Sequence, residues 1–205
     1  MNTYTAKKTD LPLSVADPRW GLVAPATLDF RWADGCPSPY ATSFRVLHGD
    51  TGLSVRIETN EWPLRAEHTV CNVEICEDSC VEFFFTPNEE EGNYMNIEIN
   101  PLGFSHIGLG DGRYGRRLLD VSGEGVRIET HVTFGEGWAA SVFLPYPFID
   151  RYFASRSDRW RMNCYKCGDL TAVEHYQTWN PVEVPAPDYH RPEFFGSLLL
   201  SGEEI

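Results

Sequence analysis

The stretch YMNIEIN, residues 94–100, places a phenol, two amides and a carboxylate at alternate positions: Tyr94, Asn96, Glu98 and Asn100. A strand sends successive side chains to opposite faces, so these four share one face while Met95, Ile97 and Ile99 take the other. Such a row of donors and acceptors suits a hydroxyl-rich ligand. The preceding stretch SCVEFFFT, residues 79–86, sets Glu82 and Phe84 on one face and Val81, Phe83 and Phe85 on the other. A simple hairpin through PNEEEGN brings Glu82 opposite Glu98. Like charges placed directly opposite repel, so a bridging Arg, a cation or a polyol is expected beside them, unless water, Arg113 or Arg116 takes them up. Two carboxyls about 5 Å apart would also match a retaining glycosidase. A glycoside hydrolase using Glu82 and Glu98 is therefore carried as an alternative to simple binding.

A second gathering of polar and aromatic groups lies in HYQTWNPVEVPAPDYHRPEFFG, residues 175–196, where Tyr176, Trp179, Tyr189 and His190 stand among prolines. Prolines lower the ordering cost of a binding loop. Aromatic rings can stack on the apolar face of a pyranose, or else simply cap a core. The candidate ligand-binding set is thus Glu82, Glu98, Asn100, Asn96, Trp179, Tyr189, His190 and Arg113. No cofactor is required by this set. Calcium is a candidate ligand of the loop NEEEGN, residues 88–93, which offers carboxylates and a Gly turn without EF-hand spacing.

NCYKCGD, residues 163–169, contains a C-x-x-C pair, Cys164 and Cys167. On a strand, residues three apart face opposite ways and lie about 10 Å apart, beyond the roughly 7 Å Cα separation a disulfide allows. The two are expected to remain thiols and to share no metal.

The elements that must position these groups are strands. LSVRIET, SCVEFFFT, YMNIEIN, GVRIETHVTF, WAASVFLP and RMNCYKC are β-branched or aromatic runs with period-two alternation, punctuated by Gly, Pro and Asn. In GVRIETHVTF, residues 125–134, Val126, Ile128, Val132 and Phe134 share a face that is expected to be buried. One short helix is expected over PFIDRYFASR, opened by Pro147. The expected fold is an all-β, antiparallel two-sheet β-sandwich, jelly-roll-like, in a single domain over residues 1–205. Residues 1–40 wrap the outside and 41–200 form the sandwich.

Composition narrows the function. The chain has 205 residues, 42% hydrophobic and 13% aromatic, enough for one sizeable core. Its formal net charge of −13 repels phosphate backbones, and it has no P-loop or dinucleotide fingerprint. Nucleic acid is excluded as a partner, and a membrane too, since no run of about 18 apolar residues occurs. The first eighteen residues lack an apolar leader segment. The sequence as it stands therefore reads as cytoplasmic, or as periplasmic or exported if a leader has been removed. The oligomeric state is not legible.

EDSCVEFFFTP, YMNIEINPLG, NCYKCGD and TWNPVEVPAPDYHRPEFFGSLLL, in that order and spacing over roughly residues 40 to 200, together resemble a family 9 carbohydrate-binding module of the bacterial family 9-like branch. The resemblance implies a β-sandwich that binds an oligo- or polysaccharide without cleaving it, in an accessory role in glycan degradation or uptake, with calcium often supporting its loops. It implies that Glu82 is the sugar-binding Glu of the family's D-S-V-E motif and that Asn100 is the Asn closing the next strand. Glu98 stands where that branch has an Arg. Tyr189 falls near one of the family's two stacking tryptophans, while Ile75 and Cys76 occupy the place of the other. An accessory or scaffold domain whose sugar site has decayed is the remaining alternative.

Overall fold

In the computed structural model, which describes residues 1–32 and 38–205, the alternating runs become strands of one long, curled sheet. In chain order these are β1 (Thr3–Lys8), β2 (Ala26–Thr27), β3 (Phe30–Arg31), β4 (Thr42–His48), β5 (Gly52–Thr59), β6 (Cys80–Thr86) and β7 (Tyr94–Ile99). They continue with β8 (Ser105–Gly110), β9 (Arg117–Leu118), β10 (Arg127–Thr133), β11 (Gly137–Pro145), β12 (Arg159–Gly168), β13 (His175–Thr178) and β14 (Gly196–Glu204). The main path runs β10-β11-β5-β4-β1-β14-β12-β6-β7-β8-β9.

The all-β class is as expected, but the sheet is mixed. β1 pairs in parallel with β14, Thr3 opposite Ser197, and in parallel with β4, Lys7 opposite Leu47. Every other pairing among the described residues is antiparallel. Residues 1–40 are therefore not all a wrap. β1 sits mid-sheet because Tyr4 and Ala6 are buried in the core and its backbone groups are paired on both sides. Residues 9–25 carry no strand, and there Trp20 packs with Leu13, Val23 and Leu47 in a small satellite cluster.

The sheet curls so that its wings face each other. Val55 and Ile57 of β5 and Ala140 and Val142 of β11 lie across from Val81 and Phe83 of β6 and Ile99 of β7. Full burial of such side chains stabilises by about 1.5–3 kcal/mol each. The polar end of this core holds Lys166, whose Nζ lies 2.8 Å from Glu61 Oε2 and 2.7 Å from His175 Nε2, all three side chains fully buried. Burial and the adjacent Lys166 push His175 down to about 4, so its imidazole is neutral, accepting from Lys166 through Nε2 while Nδ1–H donates to the Val173 carbonyl at 2.7 Å.

A second apolar cluster covers the other face of the β12-β6-β7 wing. Cys80, Phe84, Tyr94, Tyr165 and Cys167 pack there beneath Val182, Tyr189 and Phe195 of the C-terminal segment. Consequently every residue of β6 and β7 is buried, where a half-wet sheet would expose alternate positions.

Two expectations fail locally. Ile97 and Ile99 are buried and Val126 and Ile128 pack against the core, but Val132 is 43% exposed and Phe134 87% exposed. Among the described residues β10 is an edge strand paired only with β11, and its end overhangs the core, so Phe134 packs edge-on against Trp62 at 4.7 Å instead. The helix is shorter than the sequence suggests, covering Tyr146–Ile149. Arg156 Nε reaches back to Asp150 Oδ1 at 2.5 Å, and the chain turns directly into β12.

Candidate functional site

β6 and β7 pair in the register the alternation implies, with Glu82 opposite Glu98. Directly opposed residues have Cβ atoms about 4.5–5.5 Å apart. Both carboxyls are nearly buried, at 3% and 7% exposure. They form the floor of a cavity of about 400 Å³ on the outer face of this wing, walled by the loop between β8 and β9, by Tyr176 of β13 and by residues 187–190.

Burial, and then the charge of Glu98, holds Glu82 well above the usual carboxylate range. Burial also raises Glu98, but His106 and a hydrogen bond from Asn96 Nδ2 at 2.9 Å counter it. Glu82 is thus the more strongly raised of the two, and a proton held by the pair favours Glu82 over Glu98. Arg116 does not bridge them. Its Nε donates to Asn96 Oδ1 at 2.9 Å and its other nitrogens to the carbonyls of Tyr94, Gly108 and Gly112, so its hydrogen-bonded link to Glu98 runs through the Asn96 amide. Gly108 leaves room for this relay, since a Cβ there would lie 2.6 Å from Asn96 Oδ1.

The wall is tied down by polar contacts. His190 Nδ1 and Tyr94 Oη are hydrogen-bonded at 2.7 Å. Asp188 accepts from Arg113 at 3.2 Å and from Arg191 at 2.6 Å, which joins the C-terminal segment to the β8–β9 loop. Tyr189 stacks on Tyr165 with ring centroids 4.1 Å apart, and its hydroxyl donates to the Lys166 carbonyl at 2.9 Å. Tyr114 projects from the β8–β9 loop at 86% exposure while lining the cavity, an unspent aromatic surface.

Of the candidate residues, the structure gathers Glu82, Glu98, Arg113, Tyr189 and His190 around this cavity, with Asn96 one hydrogen bond behind Glu98. It does not bring Asn100 or Trp179 there. Asn100 is spent on its own turn: its Nδ2 donates to the His68 carbonyl and to Asp78 Oδ2, and its Oδ1 accepts from the amides of Leu102 and Phe104. Trp179 belongs to the inner core, edge-on to Phe44 at 5.4 Å and tight against Gly196. Tyr114 and Tyr176 are the wall residues that sequence reasoning did not select. The signal for Tyr114 is an aromatic ring in an otherwise Gly, Asp and Arg turn, DGRYGRR.

Cys164 and Cys167 face opposite sides of β12, the first in the inner core and the second at the cavity floor, and both are free thiols. Among the described residues, Cys80, Glu82 and Cys167 form a compact trio of metal-capable groups. The carboxylates of loop 88–93 are engaged separately: Glu91 accepts from Asn88 at 3.4 Å and Glu89 lies 3.8 Å from Arg159. A second concavity, of about 480 Å³, opens beside Thr42, Glu58, His131 and Trp138. Its charged floor is already satisfied, Arg56 Nη1 donating to Glu58 Oε2 at 2.6 Å and Arg45 to the other oxygen.

The family profile described as carbohydrate-binding family 9 matches residues 26–200. A candidate carbohydrate-binding protein from Bacteroides uniformis superposes with a TM-score of 0.86 at 24% identity, over 97% of this chain and 99% of that one. A family 9 carbohydrate-binding module from Caldicellulosiruptor kristjanssonii in complex with glucose superposes at 0.73 and 11% identity, over 99% and 97% of the two chains. The same organism's module in complex with cellotriose gives 0.71 at 10%, over 99% and 95%. These likenesses establish a shared fold. No curated protein sequence matches the chain.

Proposed function

The chain belongs to carbohydrate-binding family 9, whose members are non-catalytic sugar-binding modules, and from that premise we propose that the Glu82–Glu98 cavity is its saccharide site. The observation that supports this most is the combination of a carboxyl floor with aromatic walls: Glu82 and Glu98 below, Tyr114, Tyr176 and Tyr189 around. Carboxyls and amides take sugar hydroxyls, while rings take the C–H face of a pyranose. A volume of about 400 Å³ falls within the roughly 300–1,000 Å³ usual for small-ligand sites. It suits the end of a glycan rather than the length of one. The Caldicellulosiruptor modules bind glucose and cellotriose, so short glucans are the first ligands to try. In this reading the protein is an accessory to glycan degradation or uptake, holding a sugar that other proteins process.

The neutral acid of Glu82 can donate to one sugar hydroxyl while Glu98 accepts from its neighbour, a division of roles that a vicinal diol fits. Arg113 and His190, on the wall, add donors from the side. A glycan array presenting free and reducing-end-blocked sugars, followed by calorimetric titration of the best hits, tests the proposal. Saturable binding that is lost on blocking the cavity wall supports it. Absence of binding to every glycan would instead favour a scaffold whose sugar site has decayed.

A further inference from the structure

We propose that Cys80, Glu82 and Cys167 form a binding site for a thiophilic divalent cation, Zn²⁺ foremost, in the floor of the cavity. Cys80 and Cys167 are register partners on β6 and β12. Glu82, two residues on from Cys80, projects from the same face of β6. One ligand atom from each lies within 4.8 Å of the other two. Cys167 Sγ stands 3.0 Å from Glu82 Oε1, and Cys80 Sγ stands 4.0 Å from it. Tetrahedral Zn²⁺, with bonds of about 2.3 Å to sulfur and 2.0–2.2 Å to oxygen, requires ligand atoms roughly 3.5–4 Å apart. The trio therefore needs only side-chain adjustments, on a rigid two-strand platform.

The donor chemistry selects the ion. Two thiolates and one carboxylate favour Zn²⁺ and its relatives Cd²⁺ and Co²⁺ over Ca²⁺ or Mg²⁺, which take oxygen shells. An entry path exists, because Cys167 and Glu82 themselves line the cavity. The fourth position would point into it and be filled by water or a ligand hydroxyl. Binding exchanges the cation for the two thiol protons and the Glu82 proton, with no change of oxidation state, so affinity falls in acid. The inference does not depend on the saccharide reading, although a bound cation would withdraw Glu82 from a sugar and put a metal-held water in its place.

The test is titration of the full chain, kept reduced with a phosphine, by Cd²⁺ and Co²⁺, monitored by thiolate-to-metal charge-transfer absorption. One equivalent with the band of two thiolates is expected, unchanged in Cys71→Ser and Cys164→Ala. Loss of an outer-shell partner typically weakens a metal site about 10–100-fold, so loss of a ligand in Cys80→Ser or Cys167→Ser is expected to cost upwards of about 100-fold. Glu82→Gln should weaken binding while keeping the thiolate band. Cadmium NMR of the wild-type chain reads the donor set without any variant, and a shift of two sulfur donors is expected. No thiolate band, an oxygen-only cadmium shift, or a band that survives both serine substitutions overturns the proposal.

Discussion

Tyr94 on β7 and His190 in the C-terminal segment are joined by a 2.7 Å hydrogen bond between Oη and Nδ1, which fastens the wall of the cavity to the strand that forms its floor. His190 sits over Phe84 at 5.1 Å. Burial, and then the nearby Arg116 and Arg113, push its imidazole down to about 3. The ring that makes this bond is neutral.

Because the unfolded chain takes up a proton at His190 near pH 6.5 and the folded chain only near 3, folding loses stability as pH falls through that window and none above it. Replacing His190 by Asn, which keeps an acceptor but not the titration, should flatten this slope. The stability difference between wild type and His190→Asn, from urea unfolding at several pH values, is expected to narrow by on the order of a few kcal/mol between pH 7 and 4. A constant difference across the window would contradict a neutral His190.

The two floor carboxyls should respond differently to amidation. With the proton of the pair favouring Glu82, the charge falls to Glu98, and a hydrogen bond to a charged group contributes about 1.5–3 kcal/mol, so Glu98→Gln should weaken a saccharide by roughly tenfold or more. Burial and then the charge of Glu98 hold the Glu82 carboxyl well above its usual range, which favours the neutral acid, and Gln reproduces both the donor and the acceptor of that form. Glu82→Gln should therefore cost no more than about threefold, under 1 kcal/mol. Calorimetric titration in the presence of a chelator checks the asymmetry, and equal losses would reverse the assignment.

Tyr114→Ala removes a ring that touches little of the protein. Aromatic stacking contributes about 0.5–1.5 kcal/mol, so affinity should fall about two- to tenfold with the midpoint of thermal unfolding unchanged. A shifted midpoint would mean that the ring serves the fold instead.

Trp179→Ala should do the reverse. Its ring fills the inner core beside Phe44 and Gly196, and such truncations cost about 3–5 kcal/mol. Stability from denaturant unfolding should drop by that amount, while the folded fraction binds sugar as before.

The sequence makes the β6–β7 hairpin legible, register included, because β7 alternates, β6 is a run of strand formers interrupted by Glu82, and a short loop joins them. It misleads at Phe134, since alternation says which face a residue shares but not whether the core reaches that far along an edge strand. β1 escapes notice because only Tyr4 and Ala6 of TYTAKK are apolar, too few to register as a pattern, and its partners lie far away in the chain. The roles of Asn100 and Trp179 are illegible for another reason. An Asn that saturates its own turn and an Asn that binds a hydroxyl are the same letter, and only the partners of its amide distinguish them. Tyr114, conversely, is exposed through being in a turn, and nothing but the folded neighbourhood of Glu98 marks that turn as a wall.

The parallel seating of β1 between β4 and β14 also bears on how the chain reaches this state. Along the main path of the described residues β1 joins the two wings, and its pairing joins Thr3 to Ser197, almost the full contour of the chain apart. Contacts of such separation carry a large loop-closure entropy and slow the folding of β-rich domains. Until that strand docks, β14 presents an unpaired edge, as does the Leu47–His48 end of β4 beyond its pairing with β2, and either can recruit a strand from another molecule. Refolding yield should thus depend steeply on protein concentration, and a peptide of residues 1–9 added in trans is the natural protectant.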